Sequence, residues 1–146
     1  MKIEKYVLTL DTEKQVDFID VTEQVQQCVS KLGIKKGLVT VFSPHTTASI
    51  ALNHNEPMLI QDIIRTFYKL VPIDERYSHD MFELTNASKS DGRSNGHSHC
   101  KNIIMGVSSS IPVDGGKLAL GDKQSIFFVE FDGGRNREFV VQIMGE

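Results

Sequence analysis

Apolar residues recur at strand spacing in some segments of the chain and at helical spacing in others. Near the amino terminus the spacing predicts two strands, at Lys5–Leu10 and Val16–Ile19. A helical period then covers 21–32, and Gly33 is in position to end that helix. Asp20 is predicted to cap the helix, with Glu23 three residues later completing a capping box.

The middle of the chain predicts two more strands and a second helix. The strands cover 38–42 and 49–52, and Ser43-Pro44 interrupts the pattern between them. The helix is predicted from near Asn55 to Leu70, with Pro57 in its first turn, where the missing N–H of proline is harmless.

The hydrophobic period disappears from Ile73 to Asn95, and the polar stretch 86–95 is typical of a loop. A short third helix is predicted at 96–105. Four strands are predicted after it, at 111–113, 117–120, 126–131 and 139–144. Strands at both ends with helices between them predict an α+β fold, a single domain over 1–146 with mixed or antiparallel sheets.

Composition excludes several classes of protein. The 146 residues carry a formal charge of −3 without a run of Lys or Arg, which argues against nucleic acid as a partner. No secretory signal or long apolar span is found, so we expect no membrane association and a cytoplasmic location. Cys28 and Cys100 are too few for a disulfide framework. GxGxxG and GxxxxGK motifs are missing, and no nucleotide cofactor is expected.

Three histidine-containing clusters are the main candidates for chemistry. His45, Thr46 and Thr47 follow the strand break at Pro44, where rigid elements on both sides can hold polar groups. The other clusters are Ser78-His79-Asp80 and His97-Ser98-His99. Three imidazoles and a water are a common ligand set for catalytic zinc. We predict that His45, His79 and His99 converge on one pocket and that His97 points elsewhere. Taken singly, each histidine is equally compatible with a structural role.

The carboxy-terminal part offers a possible anion site. The glycine turn at 132–137 presents Arg135 and Arg137, whose guanidinium groups match phosphate oxygens. The alternative is an ordinary hairpin turn with solvated arginines. Lys123 and Gln124 are expected opposite this turn. Glu130 lies in an apolar strand, so its carboxylate must be paired or functional if it faces inward.

In combination these motifs resemble the YjbQ-like family, small domains linked to thiamine-phosphate synthase activity. The resemblance extends from Gly37 to the carboxy terminus. The matching positions are His45-Thr46-Thr47-Ala48, Asn53, Asp62, Tyr77-Ser78-His79-Asp80, Ser98-His99, Lys101, Gly121–Gln124, Glu130 and Arg137.

The resemblance implies a transferase that joins a pyrimidine-methyl diphosphate to a thiazole phosphate and releases diphosphate. It also implies a homotrimer with sites near the subunit boundaries. The candidate catalytic residues are His45, Thr46, His79, Asp80 and His99. A small phosphorylated molecule would contact Thr47, Asn53, Lys123, Gln124, Arg135 and Arg137. A divalent metal, zinc or magnesium, would be held by His45, His79 and His99. Asp80 would orient one of these histidines.

Three positions depart from the family pattern. His54 stands where the family usually has Glu, Lys123 where it has Trp, and Gly134 where it often has Pro. The first two changes remove a carboxylate and a stacking surface, so we expect the family activity to be weak in this member. Two alternatives remain open: a metal-dependent hydrolase of phosphorylated metabolites, and a non-catalytic homotrimer that binds a metal or a small anion. We also expect replacement of Arg137 to weaken anion binding with little effect on thermal stability.

Overall fold

The computed structural model describes residues 1–85 and 92–146. Within these ranges the chain forms eight strands and four helices, which confirms the α+β fold. The strands are β1 (Lys2–Asp11), β2 (Asp17–Asp20), β3 (Lys36–Phe42), β4 (Ala48–Asn53), β5 (Ser108–Asp114), β6 (Lys117–Leu118), β7 (Ser125–Glu130) and β8 (Asn136–Gly145). The helices are α1 (Thr22–Leu32), α2 (Pro57–Leu70), α3 (Ser78–Thr85) and α4 (Gly96–Met105).

Two antiparallel sheets form the framework. The larger sheet has the order β1-β8-β3-β5-β6, and the smaller has the order β2-β7-β4. The main core lies between the sheets and α1, where Val25, Val39, Phe128 and Val141 are almost completely buried. On the larger sheet buried and exposed residues alternate, as expected when one face packs and the other is open.

Strand β7 is buried on both faces, which explains its unbroken run of apolar residues. Phe128 faces the main core, whereas Phe127, Val129 and Phe131 belong to a second cluster on the other face of the smaller sheet. Met105 of α4 packs against this second cluster. A strand that is buried on both faces has no side chains that point to solvent, so its sequence does not alternate between apolar and polar residues.

Helix α3 and strand β6 differ from the sequence prediction, and one predicted segment lies partly outside the described residues. Helix α3 was missed because its Met81, Phe82 and Leu84 are all exposed, which leaves little apolar period to detect. Strand β6 ends at Leu118 rather than at 120. The predicted loop at 86–95 lies outside the described residues at 86–91.

The predicted capping box at α1 is wrong. Val21 occupies the cap position, and its side chain makes no capping bond. Asp20, one residue earlier, instead accepts hydrogen bonds from the backbone N of Thr22 at 3.0 Å and from its Oγ1 at 2.6 Å. None of the helices in the described ranges is long and apolar enough to cross a membrane.

Candidate functional site

The strand break that carries His45 is held by buried hydrogen bonds. Ser43 Oγ donates to the carbonyl of Ala48 at 2.7 Å across the break. The backbone N of Phe131 donates to the carbonyl of Thr47 at 3.0 Å. Asn102 of α4 donates to the same Ala48 carbonyl at 2.7 Å, which ties this helix to the break. Thr46 is exposed between these anchors, as a ligand-contacting residue must be.

Directly behind the break, Glu130 and Arg137 form a buried ion pair. Arg137 donates from Nε to Glu130 Oε2 at 2.7 Å and from a terminal nitrogen to Oε1 at 2.6 Å. The same guanidinium donates to Thr47 Oγ1 at 2.7 Å. Thr12 Oγ1 and the backbone N of Asp132 also donate to this carboxylate. The prediction that an inward Glu130 must be paired is therefore confirmed.

The electrostatics of Glu130 follow from these contacts. Burial acts to raise the pKa of the carboxyl group, but the hydrogen bonds from Arg137, Asp132 and Thr12 outweigh it and hold the pKa below its ordinary value. The carboxylate therefore stays charged and keeps the guanidinium in place. A phosphate would have to compete with Glu130 for Arg137, and the phosphate-binding role of this arginine stays a prediction.

Arg135 lies beside a second buried carboxylate. Its terminal nitrogen is 2.7 Å from Asp132 Oδ2, and Asp132 is almost completely buried. Arg93 donates to the carbonyl of Asp132 at 2.7 Å, and Asn95 donates to its carboxylate at 2.9 Å. The glycine turn is thus anchored by these side chains, and it is not the solvated hairpin of the alternative interpretation.

His45 points toward β8. Its Nε2 lies 3.1 Å from the backbone N of Glu138 and 2.9 Å from the carbonyl oxygen of the same residue. Burial, followed by the nearby charge of Arg137, lowers the pKa of the imidazole, so the neutral form is favoured. A neutral His45 can accept the amide hydrogen of Glu138 at Nε2.

His79 and His99 are brought together by α3 and α4. Their ring centroids are 4.7 Å apart in an edge-to-face arrangement, and both side chains are partly exposed. Asp80 Oδ1 accepts a hydrogen bond from the backbone N of Gly96 at 2.9 Å and so links α3 to the first residue of α4. This bond fixes the relative position of the two helices and hence of the two imidazoles.

Two of the three predicted metal ligands therefore meet within one chain, and His45 lies apart from them. Across residues 1–85 and 92–146, no group of three or more His, Cys, Asp or Glu side chains could hold a metal ion. Zinc in proteins takes at least three side-chain ligands. The three-histidine site stays a prediction, and it requires a ligand from beyond the described part of one chain.

His97 faces Lys101, a lysine that the sequence did not single out as buried. His97 and Lys101 are each only 1% exposed, and Lys101 Nζ lies 3.0 Å from His97 Nδ1. Burial lowers the pKa of Lys101. Burial and then the charge of Lys101 lower the pKa of His97. The four-residue spacing on a helix was the available signal for this pair.

A groove of about 430 Å³ lies between α2 and the smaller sheet. Asn53 and Asp62, both matched by the family pattern, are at its rim. Asn53 is exposed at the end of β4, and its Oδ1 accepts a hydrogen bond from the backbone N of His54 at 2.8 Å. The volume is within the range of small-molecule pockets.

Lys123 and Gln124 are not brought to the arginine turn within one chain. They are exposed just before β7, whereas Glu130 ends that strand. Six strand residues span about 20 Å, which separates the two groups. Gln124 Oε1 accepts from the backbone N of Gly121 at 2.9 Å. Because Asn53 pairs with Ser125, Lys123 lies at the end of the sheet that carries Asn53 and His54.

Comparisons with known proteins agree with this architecture. A UPF0047 protein from Archaeoglobus fulgidus is 42% identical over 137 residues, covering 94% of this chain and 98% of the relative. The UPF0047 protein YugU of Bacillus subtilis is 33% identical over 139 residues, covering 94% and 97%. A crystal structure of a YbjQ-like protein of unknown function from Sulfolobus solfataricus has a TM-score of 0.90 at 33% identity and covers 99% of both chains.

The family model described as UPF0047 protein YjbQ-like matches residues 6–146. Apart from the first residues of β1, that range contains both sheets, all four helices of the described residues and the histidine, arginine and groove residues above. The chain therefore belongs to the YjbQ-like (UPF0047) family.

Proposed function

We propose that this protein is a transferase for a small phosphorylated molecule, of the thiamine-phosphate synthase type that the family resemblance implies. The observation that carries the proposal is the contact between His79 and His99, two partly exposed imidazoles on helices locked by Asp80. In the alternative chemistry, hydrolysis of a phosphate ester, water attacks phosphorus, whereas in the transfer the thiazole nitrogen attacks the methylene carbon of the pyrimidine.

In the proposed reaction, the C–O bond between the pyrimidine methylene and the diphosphate breaks, and a C–N bond to the thiazole nitrogen forms. The electrons of the broken bond leave with the diphosphate, which gains negative charge. Imidazoles can donate hydrogen bonds or protons to such a leaving group. His79 and His99 are assigned this role because they are partly exposed and adjacent.

A homotrimer is part of the proposal, and the exposed apolar surface supports it. On the outer face of the larger sheet Ile3 and Leu38 flank Met144, and Val7 and Phe42 flank Val140. The exposed fraction of Ile3 is 62%, and that of Leu38 is 41%. Exposed apolar side chains are also found on α3 and α4, namely Met81, Phe82, Leu84, Ile103 and Ile104. Exposed apolar residues in two different regions of one chain are compatible with a head-to-tail contact between copies, which can close into a ring.

Such a ring offers one route to a complete metal site. His79 and His99 of one copy supply two imidazoles, and a neighbouring copy would supply the third. Imidazole nitrogen suits zinc better than magnesium, which prefers oxygen ligands. A bound zinc would supply Lewis acidity toward the phosphate oxygens. A monomeric mass by light scattering would remove this part of the proposal.

The test measures thiamine phosphate formed from the two precursors by the wild type and by His79→Gln and His99→Gln. Glutamine can still form hydrogen bonds but cannot transfer a proton at neutral pH. We expect each change to lower the rate about 100-fold or more, whereas Lys35→Gln, at an exposed position outside the candidate site, serves as the control and should leave the rate unchanged. Phosphate release from a panel of esters is followed in parallel. Turnover of esters without thiamine phosphate would favour the hydrolase, and equal rates in all variants would contradict a role for the pair.

A further inference from the structure

The groove beneath α2 is separate from the histidine pair. Met105 of α4 lines the groove. His97 and Lys101 precede Met105 at four-residue intervals and so share its face of the helix. His99 is two residues from His97, about 200° around the helix axis. The groove and the pair are therefore on different sides of α4.

Helix α2 leaves apolar surface uncovered along this groove. None of its residues is fully buried, although it carries a continuous apolar stripe. Leu59, Ile63 and Phe67 of that stripe line the groove. A helix packed tightly on a sheet would bury such residues, so the space between α2 and the sheet is large enough for a guest molecule.

The walls of the groove are aromatic and are held in place. Phe18 and Phe127 make an edge-to-face contact, with ring centroids 5.6 Å apart and planes at 74°. Phe67 packs against Phe131 at a centroid distance of 5.9 Å. Phe127 and Phe131 are buried and act as supports, so the ring surface open to a ligand is that of the partly buried Phe18 and Phe67. Rings held in place by neighbours can contact a ligand at little entropic cost.

The polar lining residues of the groove are few and include no cation. They are Asn53, Asp62 and Thr66, and the other lining residues are Phe18, Ala51, Leu52, Leu59, Ile63, Phe67, Met105 and Phe127. Arg65 pairs with Asp62 at 3.1 Å, but both side chains are more than half exposed. A solvated pair of this kind is weak and easily exchanged. The groove thus offers one carboxylate, together with an amide and a hydroxyl that can each donate or accept a hydrogen bond.

We propose that this groove is a second ligand site, which takes a flat aromatic amine, neutral or cationic, with its ring against the phenylalanines and its amino group at Asp62 and Asn53. The aromatic walls select a flat ring, and the absence of a cation among the lining residues disfavours an anion. Position 123 is not among the lining residues, so the Lys found there does not prevent ring binding. The inference is tested by binding alone, although Asn53 is also among the residues that the family resemblance gives to the phosphorylated substrate.

The experiment compares two probes of the same shape and opposite charge, benzamidine and benzoate, by calorimetry and by methyl NMR of the full chain. We expect saturable binding of benzamidine, with shifts at Met105, Leu59 and Ile63, and at least tenfold weaker binding of benzoate. Equal affinity for the two probes, or no benzamidine binding, would overturn the proposal.

Two variants with matched controls locate the binding. Ala51→Leu fills the groove and should weaken benzamidine at least tenfold, whereas Ala119→Leu at an exposed site should not. Asp62→Asn should weaken it roughly three- to fivefold, the range for a partly solvated ion pair, whereas Asp122→Asn should not. An unchanged affinity in Ala51→Leu would refute the location. A change of oligomer mass in that variant, measured by light scattering, would overturn the ligand site in favour of a subunit contact.

Discussion

Replacing Arg137 with alanine tests the buried ion pair most directly. The change removes every side-chain donor that Arg137 gives to Glu130 and Thr47, and leaves a carboxylate that is 0% exposed. Thr12 Oγ1 and the backbone N of Asp132 remain as donors, but neither carries a charge. The sequence led us to expect little effect of this change on thermal stability, whereas the buried ion pair predicts a clear loss of thermal stability.

The magnitude follows from the cost of an unpaired buried charge. Removing one partner of such a pair destabilises a protein by about 3–5 kcal/mol. For a chain near 150 residues each kcal/mol corresponds to about 2–4 °C, so Tm should fall by roughly 6–20 °C. At acidic pH Glu130 can take up a proton, which removes the unpaired charge. The fall in Tm of Arg137→Ala should then lie near the lower end of this range.

The measurement is urea and thermal unfolding of the wild type, Arg137→Ala and the control Arg65→Ala. Arg65 also pairs with a carboxylate, but its side chain is 65% exposed, so its loss should cost about 0–1 kcal/mol. The double variant Glu130→Met with Arg137→Met should be more stable than Arg137→Ala, since it leaves no uncompensated charge. A Tm of Arg137→Ala within about 2 °C of the wild type would refute this reasoning.

Two further predictions concern pH and the departures from the family pattern. Burial and the charge of Lys101 lower the native pKa of His97 below its unfolded value, so the unfolded state binds this proton more readily and stability is lost as pH falls below about 6.5. His97→Gln should reduce the slope of unfolding free energy between pH 7 and 5.5, by up to about 1.4 kcal/mol per pH unit; an unchanged slope would show that His97 is not the titrating group. Lys123→Trp combined with His54→Glu should raise thiamine phosphate formation from its two precursors, and robust wild-type turnover that falls in this variant would contradict the prediction.

The local sequence determined those helices and strands in which buried side chains recur at regular spacing. Helix α1 and its end at Gly33 follow from a helical apolar period and a glycine that adopts positive φ. The apolar run of β7 predicted a buried strand and required a partner for Glu130. These inferences need only the position of a side chain relative to its own element.

Tertiary structure decided which distant residues meet. Arg137 could have faced solvent or a ligand, and only the packing of β8 behind the strand break placed it on Glu130 and Thr47. The three histidines were equivalent by pattern, yet the contact between α3 and α4 joined His79 with His99, whereas His45, in the break between β3 and β4, contacts the backbone of β8. Periodicity records which face of an element is buried, but the partner on that face depends on how separate elements dock, and residues far apart in sequence carry no local signal of that choice.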